Sequence, residues 1–187
     1  MKSAPIIFDQ SPTTGYIFAT SHSRLAQVFT KRNIVLVVSG SFLVVAALWA
    51  LSNHYWFGIN LSQSLPYTLV IIEKNAHVQR GDYIVFNFEG SEIGGRVRGM
   101  PFFKRIGGVA GDVISHQSRN IKINDVDVGH ALTRTSDGET LDLIPDMTIP
   151  TGMVYVQATH DMSFDSRYRQ CGLVAFHQII GKAHILF

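Results

Sequence analysis

A serine hydroxyl is a poor nucleophile until a neighbouring base takes its proton. A lysine can be that base only when neutral, and an unperturbed pKa near 10.4 leaves roughly one lysine in 2,500 neutral at pH 7. Burial among apolar groups lowers a lysine pKa, because it disfavours the charged form. Lys104 has such surroundings in Met100-Pro101-Phe102-Phe103-Lys104-Arg105-Ile106. On a strand, Phe102, Lys104 and Ile106 share one face while Arg105 points the other way. The candidate nucleophile is Ser64, in Ser62-Gln63-Ser64-Leu65-Pro66. Each feature alone has an ordinary reading. A serine near a proline is commonly a turn, and a lysine on an apolar strand commonly snorkels to water.

Other chemistries find less support. The eight histidines include no H-E-x-x-H, and there is no C-x-x-C, so no zinc spacing is present. His160-Asp161 invites a Ser-His-Asp triad, yet adjacent residues on a strand face opposite ways. Gly107-Gly108 and Gly111 lack the G-x-G-x-x-G order of a phosphate loop and read as a turn. Cys171 is the single cysteine, so it has no partner for an intramolecular disulfide, and it has no activating motif. Arg80-Gly81-Asp82 reads as a turn into a strand rather than an adhesion signal. With 16 Lys+Arg against 14 Asp+Glu, nothing suggests a nucleic-acid surface. Neither a cofactor nor a metal is expected.

The elements that must position these residues begin with Ile34–Leu51, an uncharged apolar stretch. As a helix its 18 residues would span about 27 Å, close to the ~30 Å of a bilayer core. Lys2, Arg24, Lys31 and Arg32 precede it, and no Lys or Arg comes after it before Lys74. The positive-inside rule therefore keeps the N-terminus in the cytoplasm and exports the chain beyond the helix. A buried helix would show a polar face. A cleaved signal peptide would have a shorter apolar run, although Ala50-Leu51-Ser52 offers a small-x-small site. The expected organisation is a cytoplasmic tail (1–32), a transmembrane helix (33–52) and an exported domain (53–187). A short amphipathic helix near Ser23–Lys31 is a further option within the tail. Tyr55, Trp56 and Phe57 suit a membrane–water interface. Beyond them the apolar period changes to two. Strands are expected at 82–88, 102–106, 112–115, 120–123, 126–128 and 153–158, with turns at Asn124-Asp125 and Ser136-Asp137-Gly138. Pro145 and Pro150 bracket a short extended stretch. The fold class is mainly β, an antiparallel sheet domain preceded by one N-terminal transmembrane helix.

Taken together, three stretches resemble the type I signal peptidases, which use a Ser/Lys dyad. Ser62-Gln63-Ser64-Leu65-Pro66 resembles their S-x-S-M box. Lys104-Arg105-Ile106-Gly107-Gly108-Val109-Ala110-Gly111-Asp112 resembles K-R-[IV]-x-G-x-P-G-D. Ser163-Phe164-Asp165-Ser166-Arg167-Tyr168, followed by Gly172, resembles S-x-D-S-R-[YF]-x-G. The resemblance covers roughly residues 34–187. It implies a signal-peptidase-like fold with Ser64 as nucleophile and Lys104 as general base. It also implies an oxyanion hole from the Ser64 N–H and the Ser62 hydroxyl, and Ser163 aiming Lys104. Asp165 and Arg167 would pair beneath the site, with Asp112 as structural support. The implied partners are an exported precursor protein and membrane lipid, and the implied place is a bacterial inner membrane with a periplasmic catalytic domain.

There are departures. Ala158-Thr159-His160-Asp161-Met162 stands where the family commonly has G-D-N-R-D-N, and Ala110 replaces a proline. Pro66 follows Leu65 directly, which resembles the TraF-type peptidases of conjugative transfer. Those enzymes mature pilin precursors, some by joining the new carboxyl end to an amine. The alternative function is a non-catalytic, single-pass assembly factor of a transfer apparatus that kept the peptidase fold. The self-cleaving repressors share the Ser/Lys chemistry, but they are soluble and carry a DNA-binding domain.

Overall fold

The computed structural model describes residues 30–62 and 64–187. The tail expected at 1–32 and the option of a helix near Ser23–Lys31 lie, but for their last residues, outside this range. The chain divides into two units between Ala47 and Leu48.

The first element, α1 (Lys31–His54), runs through the apolar stretch and buries none of its residues. A helix of 24 residues rises about 36 Å, enough to cross a bilayer core. By length and composition it qualifies as a membrane span.

The rest is mainly β. Eleven strands follow in chain order: β1 (Tyr55–Ile59), β2 (Leu69–Lys74), β3 (Tyr83–Asn87), β4 (Pro101–Gly108), β5 (Val113–Gln117), β6 (Asn120–Ile123), β7 (Val126–His130), β8 (Met147–Thr148), β9 (Met153–Gln157), β10 (Val174–Ala175) and β11 (Ile179–Ile185). A seven-stranded sheet has the order β1-β2-β11-β3-β4-β9-β10, and a four-stranded sheet the order β7-β6-β5-β8. Every pairing is antiparallel.

Each expected strand is present within a residue or two. Four strands were not anticipated, β1, β2, β10 and β11, while β8 forms within the extended stretch expected between Pro145 and Pro150. The aromatic run at 55–57 forms the edge strand β1, paired to β2 through Tyr55 opposite Glu73. β11 lies between β2 and β3, so the C-terminal strand closes the middle of the larger sheet.

Local chemistry accounts for the turns. Asn124 and Asp125 both have positive φ, 51° and 64°, as a two-residue type I′ hairpin requires. Gly107 and Gly108 end β4 at a bulge rather than forming a turn; Gly111, at φ 89°, makes the turn beyond it. In the Arg80-Gly81-Asp82 turn, Arg80 is tied to Asp112 and Asp82 pairs with Lys182 at 3.0 Å.

The core nearest the site is aromatic. Phe88 stacks on Phe102 at 4.8 Å and Phe164 on Tyr168 at 5.8 Å, with Phe88 and Phe164 edge-to-face at 5.9 Å. This group joins β3, β4 and the 163–168 segment to the apolar side chains of the smaller sheet, Ile114, Ile121 and Ile123.

Candidate active site

β4 follows the alternation expected of it. Lys104 and Ile106 are buried while Arg105 is exposed and donates to the Gly81 carbonyl at 3.1 Å. Lys104 is only 4% exposed, opposite Ile84 of β3. Its Nζ lies 5.9 Å from the Phe102 ring centroid. Burial pulls its pKa from the usual lysine value down to about 8. The Asp165 carboxylate opposes this shift, and the Arg96 and Arg167 cations add to it.

Ser62 and Ser64 lie in the loop between β1 and β2. Together with Lys104 they line one cavity of about 790 Å³, which Trp56, Phe102 and Phe164 help to wall. The lining is largely apolar, and low-polarity walls disfavour the charged form of a buried amine. Loop and strand thus bring the expected nucleophile and base to one space.

The third segment sits against this space and is held rigidly. Arg167 and Asp165 pair through two contacts of 2.9 and 3.0 Å, both side chains buried. Arg167 Nη1 donates to the His130 carbonyl at 2.7 Å, and Nη2, which also binds Asp165, donates to the Ser163 carbonyl at 2.9 Å. Asp165 also accepts the Ala158 N–H. A buried pair satisfied on all sides costs little, whereas either partner alone would be an uncompensated charge. Burial lowers the Arg167 pKa, but the Asp165 carboxylate more than offsets this and raises it.

Ser163 is buried, yet its Oγ has no hydrogen-bond partner. The bond to Lys104 implied for it is not made in this structure. Asp112 lies apart from the cavity lining, bonded to the Val109 N–H, the Asn124 amide and Arg80. Burial pushes its carboxyl up, and those three partners together hold it below the usual carboxylate range.

His160 and Asp161 do not lie on a strand, contrary to the reason given against them as a triad. They occupy a turn where His160 Nδ1 accepts the Met162 N–H at 3.2 Å. Cys171 is buried, and desolvation pushes its thiol far up, so it is a poor nucleophile. Among the described residues no group of His, Cys, Asp or Glu side chains could hold a metal ion.

A family model described as signal peptidase, peptidase S26, matches residues 29–187. The chain belongs to this family. Peptidase S26 is a family of serine peptidases, and membership supports leader-peptide cleavage as the reaction class. The apolar α1 near the N-terminus is consistent with a membrane-anchored signal peptidase. Solved structures that match include a signal peptidase I from Enterococcus faecalis. It is 23% identical, with a TM-score of 0.37, over 60% of this chain and 98% of that one. No curated protein matches the sequence.

Several residues in and around this cavity carry no marked signal in the sequence or only a weak one. Asn60 binds the loop that carries Ser64 through both ends of its amide. Arg96, in the β3–β4 connection, lines the cavity with its guanidinium carbon 4.6 Å from the Phe164 ring centroid. Ser166 Oγ accepts the Val156 N–H at 3.0 Å and donates to the Gly172 carbonyl at 2.7 Å, tying the third segment to β9. Only Ser166 carried a signal, as part of the third box; nothing in the sequence marks Asn60 or Arg96.

Proposed function

We propose that the chain is a membrane-anchored serine endopeptidase in which Ser64 is the nucleophile and Lys104 the general base. The observation that carries this reading is a buried lysine, its pKa pulled to about 8, lining the same cavity as the serine. A pKa of 8 leaves about one Lys104 in eleven neutral at pH 7, some two hundred times more than an ordinary lysine.

Neutral Lys104 takes the Ser64 proton as Oγ attacks the scissile carbonyl. The resulting ammonium then protonates the leaving amine, and the precursor remains as an ester on Ser64. Neutral again, Lys104 activates the water that hydrolyses the ester. The Ser64 N–H and the Ser62 hydroxyl donate to the oxyanion, where a well-aimed donor contributes about 3 kcal/mol. Ser163 Oγ, buried without a partner, offers an acceptor for the Lys104 ammonium and so aims it. Asp165, Arg167 and Asp112 support the site without touching substrate.

The substrate is an exported precursor protein. The early Pro66 supports a narrower reading, maturation of the pilin of a conjugative transfer system, with an amine able to replace water at the ester. α1 crosses a bacterial inner membrane once, with the N-terminus in the cytoplasm and the catalytic domain in the periplasm.

The test is processing of a candidate pilin precursor in membranes carrying the wild type or Ser64→Ala, read by intact mass. Cleavage by the wild type alone supports the peptidase, and a product lighter by one water than the linear form supports cyclisation. Equal cleavage with Ser64→Ala would assign the work to another enzyme.

A further inference from the structure

The loop that carries Ser64 has few means of holding its shape. It follows the edge strand β1, and Leu65 is its one deeply buried apolar side chain. Tyr67 meets Tyr83 at 3.3 Å and the Thr68 N–H donates to the Phe187 carbonyl, but among the described residues the side-chain hydrogen bonds made within the loop all involve one polar residue at the end of β1. Asn60 Nδ2 donates to the carbonyls of Leu65 at 3.2 Å and Tyr67 at 2.9 Å. Asn60 Oδ1 accepts the Ser62 N–H at 3.0 Å and the Ser62 hydroxyl at 2.7 Å. Its backbone N–H donates to the Thr68 carbonyl at 2.8 Å and closes the loop at its base.

An amide side chain has two donors and two acceptor lone pairs, so Asn60 is fully used. Its orientation is also unambiguous. Backbone carbonyls only accept and so must face the NH2 group, while the Ser62 N–H only donates and must face the oxygen. No other side chain of similar size and neutral charge presents that combination. Aspartate keeps the acceptors and loses the donors, and alanine loses both.

The 2.7 Å contact has a further consequence. Oδ1 carries no hydrogen, so the single proton of the Ser62 hydroxyl is the one in that bond. It is not free to reach another acceptor until the hydroxyl turns about its Cβ–Oγ bond. Turning moves one proton and leaves the Ser62 N–H bond, and with it the loop, in place.

We propose that Asn60 is the positioning residue of the nucleophile loop, fixing the turn that presents Ser64 and holding the Ser62 proton until an oxyanion forms. The inference rests on the Ser64/Lys104 reading above. It makes Asn60 act through Ser62 and the loop backbone, not by contact with the reacting atoms.

The experiment uses the full chain in detergent micelles and a p-nitrophenyl ester of a short acid, with the nitrophenolate burst reporting acylation. Asn60→Ala and Asn60→Asp should each slow the burst by about 10- to 100-fold, the loss typical of a misplaced reacting group. The pH midpoint of Asn60→Ala should stay near that of the wild type, because Lys104 is untouched. In a Ser62→Ala background the further loss from Asn60→Ala should be smaller than in the wild type, because the hydroxyl bond is already gone while the bonds to the Ser62 N–H and the two carbonyls are still there to lose. A melting curve shows whether each variant is folded, and the near-isosteric Asn60→Asp remains informative where the alanine variant is not.

A wild-type burst rate in Asn60→Asp, or losses that multiply fully in the double variant, would overturn the proposal. A wild type with no burst beyond that of Ser64→Ala would instead overturn the dyad reading on which it rests.

Discussion

Lys104 is costly to the fold in the state that dominates at neutral pH. Its folded pKa of about 8 lies below the unfolded value near 10.4. Below pH 8 both states are protonated, and the folded one bears a buried cation. As pH rises from 8 to 10.4 the folded state sheds its proton first, so stability increases, by about 3 kcal/mol from this group. Lys104→Met lacks that term. Denaturant unfolding of the two proteins between pH 7.5 and 10.5 should show the variant's advantage shrinking by about that amount; parallel curves would mean Lys104 is not depressed. Arg96 contributes to the depression through its positive charge. Arg96→Gln should therefore move the acid limb of the activity profile to higher pH, and a midpoint that stays put would remove Arg96 from the electrostatics of the site. The lysine itself was legible from the sequence, because a strand period of two put it beside Phe102 and Ile106. Asn60 was not, because its value lies in four bonds to residues whose positions only the folded loop sets.

At the scale of the element, the 163–168 segment is a clamp built on a buried ion pair. Asp165→Asn leaves Arg167 buried without its counter-charge, which costs about 3–5 kcal/mol in comparable cases. It also removes the carboxylate that holds the Lys104 pKa up, so the variant's activity midpoint should fall even where the protein remains folded. Thermal melts together with a pH profile separate the two effects, and an unchanged midpoint would contradict the second. β11 shows a different constraint. A Cβ on Gly181 would lie 2.4 Å from the Glu73 carbonyl oxygen in the neighbouring strand, so Gly181→Ala must spread the sheet. Overpacking of this kind costs about 1–3 kcal/mol, measurable as a lower midpoint in urea; an unaltered midpoint would show that the strands give way freely. The four strands missed in the sequence have short or mixed patterns. Val174-Ala175 is too brief to show a period. Leu69–Lys74 is a nearly continuous apolar run, and periodicity alone leaves such a run ambiguous.

For the whole molecule, the sequence carried the arrangement of parts further than it carried the contacts within them. The uncharged stretch at 34–51 became most of α1, being long, apolar and free of proline, and the change of period beyond it announced a β domain. The seven-strand order could not be read in the same way. Placing β11 between β2 and β3 depends on pairings between residues far apart in the chain, such as Ile72 with Ala183 and Tyr83 with Ala183. The charges that flank α1 give a direct expectation. In right-side-out cells a protease added outside the inner membrane should cut the β domain and spare an N-terminal tag. A protected β domain would reverse the topology.

The most direct test of the account is the pH dependence of Ser64 acylation by a serine-directed reagent, located by peptide mass. The Ser/Lys reading predicts labelling confined to Ser64, rising with pH to a plateau with a midpoint near 8, and lost in both Ser64→Ala and Lys104→Ala. Labelling that persists in Lys104→Ala with the same profile would contradict it, because the serine would then owe its reactivity to another base.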